Sequence, residues 1–399
     1  MILAVSSHPV QYRAPLYRYF SLCAGMPVHA VYLRDHHLRE TYDPDFGVAF
    51  RWEMDLLGGY TSSFVTSGSG ADRVGWWRAF NGTQRLVRKV AEGLPSLRAI
   101  LIHSYTTPEG FGGLFAARKL RIPALLMEEV ELTRHRSVLK RISRSAVIPP
   151  LLRLYDSFLY IGSRNRRFYE RYGVEPERLF FTPYSVDNEA FSRALPTNLA
   201  KRDATRCELH ADPSDCVVLF AGKLIPRKRP LDLVDAAALL APERRPFLLF
   251  VGSGELATAL RARAAELRIQ KFNAVGFKNV DEIGQYYAAS DIFVLPSEYE
   301  TWGLVVNEAM IHSLPVIASD SCGCSPDLVR DGETGFRFPA GDIQSLAKLL
   351  GVLGEKEALR RDLGNHGRSL IDAWSYAQVA QGLQTALAFI KVSKNQKNH

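Results

Sequence analysis

The sequence predicts an α/β protein built from two doubly wound parallel sheets, and three observations predict it. Its 399 residues suggest two or three domains at roughly 100–200 residues each. Short apolar runs alternate with stretches of helical period, the mark of buried parallel strands covered by helices on both faces. The alternation lapses near residue 185 and restarts near residue 214.

In the first half, 2–7, 28–33, 99–103, 124–127 and 158–161 read as buried strands, and 14–24, 110–120 and 164–172 as helices. Residues 41–82, rich in Gly, Ser and aromatics, read as an irregular loop region with broken strands. The stretch 185–213 lacks a clear period and reads as a linker. Beyond it, 217–220, 247–251, 272–276, 292–295 and 316–318 read as strands. Helices are expected at 230–240, 255–267, 282–289 and 304–311. The domains that follow are 1–190 and 191–375, with a last helix over 376–399 crossing back to the first.

An apolar fraction of 47% against 23% charged excludes a disordered chain. No apolar run approaches the ~18 residues that span a bilayer, and the opening residues lack a basic leader, so a cytoplasmic protein is expected. Five scattered cysteines, with Cys322-x-Cys324 lacking a second pair, suggest reduced thiols and no metal site. The net charge of +8 is lopsided: residues 1–184 hold 25 Lys and Arg against 16 Asp and Glu, the remainder 25 against 26. A basic half implies an anionic partner. Arg134, Arg136, Lys140, Arg141 and Arg144 interleave with Val138, Leu139 and Ile142, the pattern of a helix lying on an acidic membrane or of a solvated helix at a sheet edge. No nucleic-acid motif accompanies the charge.

Chemistry concentrates in two segments. Ser297-Glu-Tyr-Glu-Thr-Trp-Gly-Leu-Val-Val-Asn-Glu follows a strand and opens a helix near Gly303 or Leu304. A helix N-terminus presents unpaired N–H groups and partial positive charge, suited to phosphate or sugar oxygens. Glu300 precedes that helix and Glu308 lies one turn inside it, so both can accept hydrogen bonds from hydroxyls of one ligand. The plainer reading is acids complementing a helix dipole. Phe220-Ala-Gly-Lys-Leu-Ile-Pro-Arg-Lys-Arg-Pro is the second segment. Gly222 ends a strand, and Lys223, Arg227 and Lys228 place cations before a helix start at Pro230, as a diphosphate requires. Its plainer reading is a solvated basic turn.

Glu300 to Glu308 resembles the E-x7-E motif of retaining glycosyltransferases of family 4. Leu314-Pro-Val-Ile-Ala-Ser-Asp-Ser-Cys-Gly-Cys-Ser-Pro-Asp, Asp331-Gly-Glu-Thr-Gly-Phe, and Gly222-Lys-Leu with Lys228 following are also similar to that family, over about residues 155–350. The resemblance implies the GT-B fold, two Rossmann-like domains facing across a cleft. It also implies a nucleotide-diphosphate sugar as donor substrate, with no cofactor and no metal. Lys223 and Lys228 would neutralise the diphosphate, with Arg227 as substitute. Glu308 would bind ribose, Glu300 donor-sugar hydroxyls, the amides of Trp302, Gly303 and Leu304 sugar and phosphate, and the backbone near Phe277 and Lys278 the base.

Ser7-His8-Pro9-Val10-Gln11-Tyr12-Arg13-Ala14-Pro15 resembles a polysaccharide-associated branch of the family, which implies a saccharide or lipid-linked acceptor. Where many members carry a histidine after a later strand, this chain has Glu128 and Glu129. Either carboxylate could orient the acceptor or stabilise developing positive charge, and His103 at another strand end is a further candidate. A nicotinamide oxidoreductase is a weak rival. Gly252-x-Gly254 imitates its fingerprint, but the ribose-binding acid expected about 20 residues on is missing. A catalytically silent sugar- or lipid-binding relative and a nucleotide-sugar epimerase share the fold and remain as alternatives.

Overall fold

The structure, a computed structural model, describes residues 1–36, 38–68, 74–132 and 138–397. They form two compact units. One comprises Met1–Thr41, Asp55–Tyr184 and Tyr376–His399, the other Tyr42–Met54 and Ser185–Ser375.

Along the first half of the chain run β1 (Ile2–Ser6), α1 (Ala14–Leu22), β2 (Val28–Tyr32), a hairpin of β3 (Thr41–Asp43) and β4 (Val48–Phe50), then β5 (Thr61–Phe64), α2 (Trp76–Glu92), β6 (Ala99–Ile102), α3 (Pro108–Leu120), β7 (Ala124–Leu126), α4 (Val138–Leu152), β8 (Ser157–Tyr160), α5 (Ser163–Arg171) and β9 (Leu179–Phe181). Seven of these strands make a parallel sheet in the order β5-β2-β1-β6-β7-β8-β9. Its centre is apolar on both faces because alternate residues of β1 feed different cores. Ile2 and Ala4 join one cluster, Leu3 and Val5 the other. The order reverses between β1 and β6, so loops after those strands diverge and leave a crevice at their C-terminal ends.

The second half continues with α6 (Asn188–Ala200), α7 (Arg202–Leu209), β10 (Val217–Ala221), α8 (Pro230–Ala238), β11 (Phe247–Val251), α9 (Ala257–Glu266), β12 (Phe272–Ala274), α10 (Val280–Ala288), β13 (Ile292–Leu295), α11 (Leu304–Ile311), β14 (Val316–Ser319), α12 (Ser325–Leu328), β15 (Gly335–Phe338), α13 (Ile343–Glu355) and α14 (Glu357–Ile371). Six strands pair in parallel in the order β12-β11-β10-β13-β14-β15, reversing between β10 and β13. The final helix, α15 (Tyr376–Lys397), lays Val379, Leu383, Leu387 and Ile390 on the Ile2–Ala4 face of the first sheet, a helical spacing of apolar residues.

The linker expected over 185–213 is wrong: most of it is α6 and α7. Their period is hard to read because α6 buries no residue fully and carries Pro196, while α7 buries Arg206. That guanidinium donates to the carbonyls of Ala289 (2.9 Å) and Asp215 (3.1 Å) and pairs with Asp291 at 2.6 Å. A polar side chain thus fills a core position. Of the basic cluster, Arg134 and Arg136 lie outside the described residues, and the backbone from Lys140 to Arg144 belongs to α4.

Candidate functional site

In the second unit the backbone turns sharply where β10 and β11 end. Gly222 and Gly252 have φ of 144° and 143°, and a Cβ on Gly252 would lie 1.9 Å from the Gly222 carbonyl oxygen, so only glycine fits there. The chain then forms a single 3₁₀ turn, Pro226–Lys228, before α8. Beside it, the segment after β13 reaches Gly303, which has φ 102° and caps α11.

These two segments meet. The Glu298 amide donates to the Arg227 carbonyl at 2.8 Å, and the Lys228 ammonium pairs with the Glu300 carboxylate. Both side chains of that pair are largely shielded, at 12% and 14% exposure. The Glu300 carbonyl accepts from the Gly323 amide (2.8 Å), and a Cβ on Gly323 would overlap the Thr301 carbonyl oxygen. Burial pushes the Lys228 ammonium down to about 8, and Arg227 and Lys223 push the same way. A cation held this way gains from any anion that reaches it.

Glu308 is buried inside α11, where the Tyr287 hydroxyl donates to its Oε2 at 2.8 Å. The Trp302 indole is turned into the core, donating to Asn307 Oδ1 at 3.0 Å and packing on Trp374. Its side chain serves packing, while the amides of Gly303 and Leu304 sit at the helix start. Lys278 pairs with Glu282 at 3.4 Å, and its ammonium lies over the Tyr286 ring. Phe277 packs among Phe46, Phe50 and Trp52, edge-on to the first and tilted against the other two. Lys223 pairs with Asp43 and Asp45, both at 3.1 Å. None of the partners from 43–52 carries a local motif, and sequence reasoning missed them.

A second constellation lies in the first unit, where β1, β6 and β7 end. A cavity of about 590 Å³ is lined there by Arg13, Arg34, His103, Glu109, Glu128 and Glu129, among others. Glu129 accepts from the Arg13 guanidinium (2.9 Å) and the Tyr184 hydroxyl (2.5 Å), so both lock it in place. Glu128 accepts from the Tyr105 amide (2.8 Å) and the Ser104 hydroxyl (3.3 Å). Burial nevertheless pushes it up to about 7. His103 Nε2 lies 2.5 Å from the Tyr17 hydroxyl, and burial with the nearby Arg13 charge holds the imidazole well below its usual range, hence neutral. Arg13 and Tyr184 were not singled out from sequence, being 116 and 55 residues from Glu129.

A family model described as "Glycosyl transferases group 1" matches residues 201–370. The D-inositol 3-phosphate glycosyltransferase of Nocardia farcinica is 35% identical over 228 residues, 55% of this chain and 49% of that protein. The sulfoquinovosyl transferase SQD2 of Arabidopsis thaliana is 33% identical over 48% of this chain and 36% of its own length. The chain thus spans about half or less of the length of these two curated relatives. Among solved structures, Anabaena HepE in complex with UDP superposes with a TM-score of 0.75 at 17% identity over 97% of this chain and 99% of that one. WaaG, a lipopolysaccharide-biosynthesis glycosyltransferase, gives 0.66 at 16% identity, covering 98% and 99%. At such identity these two likenesses establish the fold.

Proposed function

We propose that the chain, which matches the group 1 glycosyl transferases over residues 201–370, moves a sugar from a nucleotide-diphosphate donor to a hydroxyl of a saccharide or lipid-linked acceptor, with retention. One observation carries the reading: the basic turn and the acid-bearing helix entrance meet at the reversal point of a parallel sheet, joined by Lys228–Glu300 and by the Glu298 amide. The donor is taken as a UDP-sugar, since HepE was solved with UDP-glucose.

Lys223, Arg227 and Lys228 neutralise the diphosphate, and the start of α11 adds its dipole. Glu308 accepts from ribose hydroxyls. Glu300 exchanges its hold on Lys228 for a donor-sugar hydroxyl, which frees the ammonium for the departing phosphate. The bond between the anomeric carbon and the phosphate oxygen breaks, and the acceptor oxygen bonds that carbon on the same face. The acceptor proton passes to the leaving phosphate. Glu129, fixed by Arg13 and Tyr184, orients the acceptor, and neutral His103 lines the same cavity.

A thermal-shift screen with nucleoside diphosphates tests this reading, because a ligand that binds only the folded chain raises its melting temperature. UDP is expected to stabilise the protein, with affinity falling as pH rises through about 8, where Lys228 loses its proton. No shift with any nucleoside diphosphate would refute the donor assignment.

The acceptor side is proposed to work at an anionic membrane surface. Among the described residues, no helix is long and apolar enough to cross a membrane. Helices α2 and α3 nonetheless present an aromatic patch. Trp76 (45% exposed) stacks on Phe80 and meets Trp77 (70%) edge-on, and Phe80 meets Phe115 (51%). At 100° per residue, Arg78, Arg85 and Lys89 form a basic row about a quarter turn round the helix from Trp77. Indoles flanked by cations suit a lipid interface. In sedimentation with phosphatidylserine vesicles, Trp76→Ala/Trp77→Ala should weaken binding at least about tenfold, since two indoles offer on the order of 300 Å² of apolar area. Equal binding to neutral vesicles would contradict the proposal.

A further inference from the structure

The hairpin within Tyr42–Met54 belongs to the second unit, and its contacts there are specific. Phe46, Phe50 and Trp52 surround Phe277 with ring centroids 4.5–6.1 Å away. The Ser253 hydroxyl donates to the Phe46 carbonyl (2.7 Å), and the Asn279 side-chain amide donates to the Arg51 carbonyl (3.1 Å). Ser253 follows β11, and Phe277 and Asn279 follow β12, so the hairpin is anchored along the C-terminal ends of those strands.

At its turn the hairpin delivers two carboxylates to one cation. Lys223 Nζ lies 3.1 Å from both oxygens of Asp43 and 3.1 Å from Asp45 Oδ2, with the Phe46 ring centroid at 4.8 Å. Asp43 also accepts from the Asp45 and Phe46 amides, at 2.9 and 3.0 Å. Against burial, the Phe46 amide and the Lys223 ammonium hold Asp43 below the usual carboxylate range. The trio carries a net charge of −1, so a diphosphate beside Lys223 would face two like charges within a few ångströms.

We propose that Asp43 and Asp45 set donor affinity: they hold Lys223 while the donor is absent, and the donor's diphosphate must take their place. The inference rests on the donor reading given above. The exchange needs side-chain movement alone, because the aromatic anchor and the two backbone-directed bonds hold the hairpin independently of Lys223. A ligand bearing two phosphates can replace two carboxylates charge for charge, which a neutral sugar cannot do.

The test is titration of the full-length protein with UDP and with inorganic pyrophosphate, which carries no base or ribose. Asp43→Asn/Asp45→Asn keeps an oxygen to accept the turn amides. It should bind both ligands about fivefold more tightly, about 1 kcal/mol. Glu357→Gln/Asp362→Asn, the same charge change at two exposed positions on α14, should bind like the parent. Equal or weaker binding by the double variant, in a protein whose melting temperature is unchanged, overturns the inference and leaves the donor reading standing. Tightening matched by Glu357→Gln/Asp362→Asn also overturns it, since net charge alone would then be the cause. A parent protein that binds neither ligand removes both.

Discussion

Lys228→Ala should lower kcat by about 10²–10³, the typical cost of deleting one group that stabilises a departing or developing anion. The loss should fall on turnover more than on KM, because the ammonium, freed from Glu300 by the donor sugar, gains most as charge builds on the leaving phosphate. Deleting one partner of a shielded pair also strands the other. The single variant should therefore melt lower, since an unpaired buried carboxylate costs up to about 3–5 kcal/mol. Lys228→Ala/Glu300→Gln separates the two effects: melting temperature should recover and turnover should not. Turnover near the parent value in a purified transfer assay would defeat the role given to Lys228.

Glu308→Gln should weaken donor binding about 10- to 100-fold while leaving pyrophosphate affinity unchanged, because hydrogen bonds to a charged acceptor are worth roughly 1.5–3 kcal/mol. Glutamine keeps the shape and can still accept from Tyr287, so the change isolates the charge. Calorimetry with UDP and pyrophosphate side by side makes the assignment specific. A uniform loss on both ligands would point to a shifted helix rather than a lost ribose contact. Normal UDP affinity would end the ribose assignment.

Strands buried on both faces were legible because they are almost wholly apolar: β10, β11 and β13 read as unbroken runs, and β1 is broken only by its last residue, Ser6. β5 was not, since Thr61-Ser62-Ser63-Phe64 has one apolar residue and sits at the sheet edge. β15 hides for a similar reason, with Arg337 exposed at the opposite edge of the second sheet. The site divides along the same line. Glu300 and Glu308 share one helix entrance, so their spacing carries information. The bond between Glu298 and Arg227 joins residues 71 positions apart and follows only from the strand order. Asp43 meets Lys223 across 180 residues, and no period or local spacing encodes that meeting. Glycine placement was informative where the backbone takes a positive φ, as at Gly222 with φ 144°, and silent where an ordinary side chain does the work, as at Tyr184.

The last helix, α15, completes the first sheet's Ile2–Ala4 face, although it is synthesised after all of residues 185–375. During translation that face must wait, with Ile2, Leu16, Phe20 and Val28 lacking their final cover, until Val379 to Ile390 leave the ribosome. The later-made unit, nearly continuous in sequence, can reach its native contacts first. Order of maturation would then run opposite to order of synthesis, and the nascent chain's exposure to chaperones would be set by how quickly α15 arrives.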